Sequence, residues 1–148
     1  MRWIIVQGSI IKKELRKMTD MEKCLFCNMY ELEKEKIIAE NELTFAIYDA
    51  FPVNDGHALV IPKRHFADFF DATGDEVSAI YSLLQECRGI VAERYKPSGY
   101  NVGVNVGADG GQTNMHLHVH LIPRYKGDVE NPKGGVRRLK VQKVHYEG

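Results

Sequence analysis

The 148-residue sequence predicts an α+β domain, an antiparallel sheet of about five strands with one long and one short helix. Short apolar runs separated by turn residues occupy residues 37–62 and 100–123, and one longer stretch between them repeats apolar residues at three- and four-residue steps. A hydrophobic content of 44% and a mean hydropathy of −0.32 fit one compact domain and exclude both a disordered chain and a polytopic membrane protein.

The elements follow in order. Ile37–Glu40 and Leu43–Tyr48 are β-rich runs separated by Asn41-Glu42, the pattern of a hairpin. Pro, Asn, Asp and Gly gather between Asp49 and Gly56 as a loop, and His57–Ile61 forms a third strand that stops at Pro62. A short helix is expected near Lys63–Phe70. Thr73-Gly74-Asp75-Glu76 has the capping-box spacing, and Val77, Ile80, Tyr81, Leu84, Cys87 or Arg88, and Val91 then mark an amphipathic helix over roughly residues 74–96. Cys87 reads as a small packing hydrophobe on it. Tyr100–Val106 alternates as a strand, a glycine-rich loop follows, and Met115–Ile122 alternates again up to Pro123. Residues 1–20 read as an N-terminal extension and residues 21–148 as the domain.

Twenty basic and twenty acidic side chains balance, so global charge supplies no prior for nucleic acid or an anionic membrane, and neither is an expected partner. The distribution is uneven: residues 1–23 carry +3, residues 24–123 carry −7 and residues 124–148 carry +4. The basic C-terminal segment suits either an anionic ligand or plain solvation. Three cysteines do not make a disulfide framework, and the apolar run Trp3–Val6 is too short for a signal or a membrane span. A reducing cytoplasm is the expected location.

The chemistry concentrates in His116-Leu117-His118-Val119-His120-Leu121, where strand alternation puts three imidazoles on one face and the aliphatic side chains on the other. Aliphatic residues would pack such a face better, since every imidazole brings two nitrogens that need partners. A single metal cannot hold all three. At about 3.3 Å of rise per residue, His116 and His120 are roughly 13 Å apart at Cα, too far for bonds of about 2.0–2.1 Å to one ion. Just before them, Asn105, Gly107, Gly110, Gly111, Gln112 and Thr113 offer amides, a hydroxyl and backbone N–H groups suited to phosphate oxygens. Together they suggest attack by an imidazole nitrogen on phosphorus. Cys24-x-x-Cys27 reads either as two small packing residues at a turn or as half of a tetrahedral zinc site.

These residues resemble the histidine-triad (HIT) family of nucleotide hydrolases and transferases, whose motif alternates three histidines with hydrophobic residues. The resemblance runs from Cys24-Leu25-Phe26-Cys27 through Asn54–His65 to Asn105–Arg124, covering roughly Cys24 to Arg138. It implies a HIT-like fold that forms a two-fold dimer, and an attack by His118 on the α-phosphorus that gives a nucleotidyl-histidine for water to hydrolyse. It further implies that His120 and His57 orient phosphate and catalytic groups, that Gln112 and Asn105 bond phosphate oxygens beside Gly111, that Thr113 approaches the leaving group and that Asp49 contacts the ribose. No cofactor is required for that chemistry. In zinc-containing relatives a CxxC pair is completed by two histidines that correspond here to His65 and His116, which implies a structural zinc ion on Cys24, Cys27, His65 and His116. Leu117 and the retained His120 favour hydrolysis over nucleotidyl transfer. Leu121-Ile122-Pro123-Arg124 with Gly127-Asp128 resembles the fragile-histidine-triad side of the family, whose substrates are dinucleoside polyphosphates. Asp49 is more like the phosphoramidate hydrolases, so the alternatives are that activity or a low-turnover nucleotide-binding sensor or adaptor. Arg137 or Arg138 is expected either to approach the polyphosphate or to lie in a solvated basic tail.

Overall fold

The computed structural model describes Leu15 and residues 20–139; the rest of the expected extension 1–20, and residues 140–148, lie outside the described residues. Five strands, β1 (Ile37–Glu40), β2 (Thr44–Tyr48), β3 (Ala58–Pro62), β4 (Gly99–Val104) and β5 (Val119–Arg124), form one antiparallel sheet in the order β1-β2-β3-β5-β4. Helix α1 spans Leu25–Leu32 and helix α2 spans Gly74–Tyr95. The expected sheet and long helix are both present.

Period-two alternation divides the side chains between the two faces of the sheet. Ala46, Ala58, Val60, Leu117, Val119 and Leu121 pack against Ile80, Leu83 and Cys87 of α2. Phe45, Ile47, Leu59 and Ile61 point the other way and pack with Cys24 and Phe26 at the start of α1. The hairpin turn is fixed by Asn41, whose Oδ1 accepts from the Leu43 and Thr44 backbone N–H groups at 3.1 and 2.9 Å while its Nδ2 donates to Ala79 O of α2 at 2.9 Å.

The capping box is formed: Glu76 N–H donates to Thr73 Oγ1 at 3.2 Å and Thr73 N–H to Glu76 Oε2 at 2.8 Å. The same carboxylate receives a two-pronged contact from Arg64 at 2.7 and 2.8 Å, which with the cap holds its pKa down at about 2. This pair shifts the buried face of α2. Glu76, Ile80, Leu83, Cys87 and Val91 are buried, whereas Val77 and Tyr81, expected on the inner face, are 40% and 62% exposed. Cys87 is the packing residue anticipated, and burial pushes its thiol up to about 12.

Three further expectations are corrected. The short helix near Lys63–Phe70 is only a 3-10 turn at Phe69–Asp71, because Arg64 and His65 are drawn to opposite sides of an irregular segment. Helix α1 replaces the plain turn expected around the cysteines. The last strand starts at Val119, where pairing with both neighbours begins, and not at Met115; Leu117 N–H instead donates to Phe66 O at 2.6 Å. Glycine is required at Gly56, where φ is +84° and a Cβ would lie 2.8 Å from the Tyr95 ring, and at Gly110, where a Cβ would lie 2.3 Å from Val106 O.

Replacing Thr73 by Ala removes one half of the cap and leaves the Glu76 N–H unpaired. A loss of about 1 kcal/mol is expected in urea unfolding, with an unchanged m-value.

Candidate functional site

Histidines at positions 116, 118 and 120 share the sheet face opposite α2, although the first two precede the strand. The Phe26 ring meets the edges of His116 and His118 with centroids 5.9 and 5.2 Å away. That aromatic comes from α1, which the sequence reading missed. Leu25, Phe26 and Met29 carried the helical spacing, but the segment is only eight residues long and runs into the charged stretch that follows.

His116 uses all of its polar atoms. Nε2 lies 2.8 Å from Pro62 O, so this nitrogen carries the proton and Nδ1 presents a lone pair. Three groups converge on that lone pair: Cys24 Sγ at 3.3 Å, Cys27 Sγ at 3.5 Å and His65 Nδ1 at 3.2 Å; Cys27 Sγ is also 3.5 Å from His65 Nδ1. One lone pair accepts one hydrogen bond well, so the cluster is not a set of ordinary hydrogen bonds. For zinc bonds of about 2.3 Å to sulfur and about 2.05 Å to nitrogen, a tetrahedron has S···N edges near 3.6 Å and N···N edges near 3.3 Å. The observed spacings match those edges, and the four donor atoms lie within 4.8 Å of one another. The Pro62 carbonyl supplies the outer hydrogen bond that orients a ligating histidine. Burial and the adjacent Cys24 raise the Cys27 thiol to about 12, and burial lowers His116 to about 4, so a divalent cation is what would favour thiolate there. The Cys24-x-x-Cys27 spacing works because Cys24 caps α1 and Cys27 sits in its first turn.

His118 Nδ1 lies 2.8 Å from the carbonyl oxygen of His116, which accepts its proton and leaves Nε2 as the basic nitrogen. The ring borders a cleft of about 770 Å³ whose walls are Leu25, Phe26, Met29, Ile38, Ile47 and Leu59, with Asp49, Asn105, Thr113, Asn114 and His120 among its polar groups. Such a volume accommodates a small-molecule ligand.

The neighbouring tautomers follow from one backbone donor. Val53 N–H donates to His57 Nδ1 at 3.1 Å, so His57 carries its proton on Nε2 and donates to His120 Nδ1 at 3.0 Å. His120 therefore bears its proton on Nε2, and that buried atom has no hydrogen-bond partner among the described residues. The relay presents an N–H donor beside the His118 ring, 5.1 Å away between centroids. Burial lowers the pKa of His57 against the pull of Asp49, 3.6 Å away, and burial with the His118 and His57 rings lowers His120 to about 4.

The structure brings Asp49, Asn105, Thr113, His57, His118 and His120 together but gives Gln112 a different place from the one expected. Its Oε1 accepts from Gly107 N–H at 2.9 Å and its Nε2 donates to Ala67 and Asn114 carbonyls at 2.9 and 3.1 Å, so the amide braces the loop. The backbone N–H groups of Gly110, Gly111 and Gln112 also close the loop on itself, and Gly111 sits at a φ of +88° against the Asn105 amide. The loop reaches the cleft through side chains and not through a cradle of amides. Arg138 lies on the far side of Val53, near Arg124 and Asp128, outside the cleft lining.

An antiparallel sheet that carries a histidine cleft next to a Cys₂His₂ cluster defines the class, an α+β protein. Residues 31–127 match the HIT domain, and the chain belongs to the HIT family. It is 39% identical over 104 residues to an uncharacterized 16.1 kDa HIT-like protein of Mycoplasma pneumoniae, covering 70% of this chain and 72% of that one. It is 35% identical over 100 residues to the bis(5'-adenosyl)-triphosphatase of Dictyostelium discoideum, covering 68% and 67%. Among solved structures, a Zn-bound histidine triad family protein from Mycobacterium smegmatis superposes with a TM-score of 0.64 at 31% identity, covering 73% and 79%. Among the described residues no helix is long and apolar enough to cross a membrane.

A histidine titrating at about 4 in the folded chain and about 6.5 in the unfolded one is protonated first in the unfolded chain. Its stabilising effect is complete above about pH 6.5 and is lost as the pH falls toward 4. Thermal and urea melts from pH 7 to 4 should show wild type losing about 3 kcal/mol more than His120→Gln over that interval.

Proposed function

We infer that this protein hydrolyses dinucleoside polyphosphates at the α-phosphate through a nucleotidyl-histidine on His118. The observation that carries the reading is the 2.8 Å contact between His118 Nδ1 and His116 O, which leaves Nε2 as the nucleophilic nitrogen at the cleft. The apolar end of the cleft receives a base, Asp49 contacts the ribose, and Asn105, Thr113 and the Nε2–H of His120 meet phosphate and leaving-group oxygens. The name of the Dictyostelium relative supports the choice of substrate class.

In the first step Nε2 of His118 forms a bond to the α-phosphorus, and the bond from phosphorus to the bridging oxygen breaks. The departing nucleotide takes the electron pair, and the His120 N–H stabilises the charge on that oxygen. In the second step water adds to phosphorus, the P–N bond breaks to restore the lone pair on Nε2, and the proton from water passes to solvent. Gln112 is a positioning residue here, since it holds the loop that carries Thr113 and Asn114.

Cys24, Cys27, His65 and His116 would hold a structural zinc ion, whose charge stabilises both thiolates and ties the start of α1 to the triad. The reading places the protein in a reducing cytoplasm as a two-fold dimer, consistent with three cysteines outside any disulfide.

His118→Ala should lower kcat for AMP release from diadenosine polyphosphates by at least about 10³-fold while AMP binding changes by no more than a few-fold. Retained turnover would overturn the assignment, and cleavage of adenosine 5′-phosphoramidate alone would move the substrate to that class. Elemental analysis of the purified protein should give close to one zinc per chain, and a strong chelator should lower its melting temperature.

A further inference from the structure

A second cavity, of about 460 Å³, adjoins the cleft and shares only Asn105 and His120 with it. Its other walls include His57, Ile122, Val136 and Leu139, so it is apolar apart from the histidines and asparagines at its border with β4 and β5. The 3-10 turn Gly135–Arg138 supplies one side. His118 lines the cleft but not this cavity. In-line displacement at phosphorus requires the leaving group to depart on the side opposite the nucleophile. Here the side reached past His120 and away from His118 is an apolar cavity of small-molecule size.

We propose that this second cavity is the binding site for the leaving nucleoside, so that a two-ended substrate spans both cavities with its phosphate bridge over Asn105 and His120. The proposal rests on the hydrolase reading above and adds what selects a dinucleotide over a one-ended nucleotide. His120, whose buried Nε2–H has no partner among the described residues, lines both cavities, where the scissile bridging oxygen would pass.

Val136 and Leu139 are 59% and 84% exposed, so substitutions there leave the core untouched. Val136→Trp fills the cavity and Leu139→Glu sets a negative charge at its mouth. Either change should lower kcat/KM for diadenosine tetraphosphate about tenfold, mostly through KM. Cleavage of adenosine 5′-phosphoramidate, whose leaving group is ammonia, should stay within about twofold. A calorimetric titration independent of turnover accompanies this. Wild type should bind a methylene-bridged diadenosine tetraphosphate about tenfold more tightly than AMP, and both variants should lose that margin. No effect on either substrate, a parallel loss on both, or equal wild-type affinities for the two ligands would overturn the proposal. A parallel loss with a fall in sedimentation coefficient would assign the cavity to contact with a second copy of the chain. If wild type cleaves neither compound but keeps the affinity margin, the hydrolase reading fails and the subsite stands.

Discussion

The cysteine cluster and the His118 ring are tied together by how one residue, His116, distributes its polar atoms. Its Nε2–H is committed to the Pro62 carbonyl, its Nδ1 to the cysteine cluster, and its own carbonyl to the His118 ring. A free imidazole offers either nitrogen to an electrophile. His118 offers one, because the backbone oxygen two residues earlier accepts the other's proton. The same residue that anchors α1 through the cluster thus sets the tautomer of His118, with Phe26 packed on both rings. The cysteine cluster and the histidine cleft are separated by one leucine, Leu117, which is wholly buried in the core on the other face of the sheet.

A second constraint is the cost of burying imidazoles. His57 and His116 are nearly inaccessible to solvent, and burial lowers the pKa of both. The Val53 N–H starts a chain of donors that satisfies His57 and one side of His120, and it leaves a single buried donor at the end. An unpaired N–H in a packed site is expensive unless a ligand pairs with it. Its position beside the cleft is consistent with the phosphate oxygens that the proposed reaction brings there.

Much of this was legible in the sequence because its signals are local or strictly periodic. Alternation in His116–Leu121 separates core from site on its own, and it survives even though the first residues lie outside the strand ladder. Thr73 and Glu76 announced the long helix, and the cysteine pair with His65 and His116 came together as the family resemblance implied. The errors have physical causes. Arg64, twelve residues before Glu76, rotates the buried face of α2 away from Val77 and Tyr81, and helical spacing alone does not show a distant ion pair. Gln112 looked like a phosphate ligand because a side-chain amide suits both an oxyanion and a loop carbonyl. Its choice of Gly107, Ala67 and Asn114 depends on a fold that brings Ala67 forty-five residues back beside it. Helix α1 was hidden because eight residues carry little periodic signal and its stability comes from docking on the sheet.

The central claim concerns which ring nitrogen reacts, and nitrogen-15 and phosphorus-31 NMR of protein quenched during turnover without acid reads it directly. The account predicts a nucleotidyl group bonded to Nε2 of His118, with Nδ1 still protonated toward the His116 carbonyl. A phosphorus bonded to Nδ1, to another histidine, or to no protein atom at all during active turnover would contradict it.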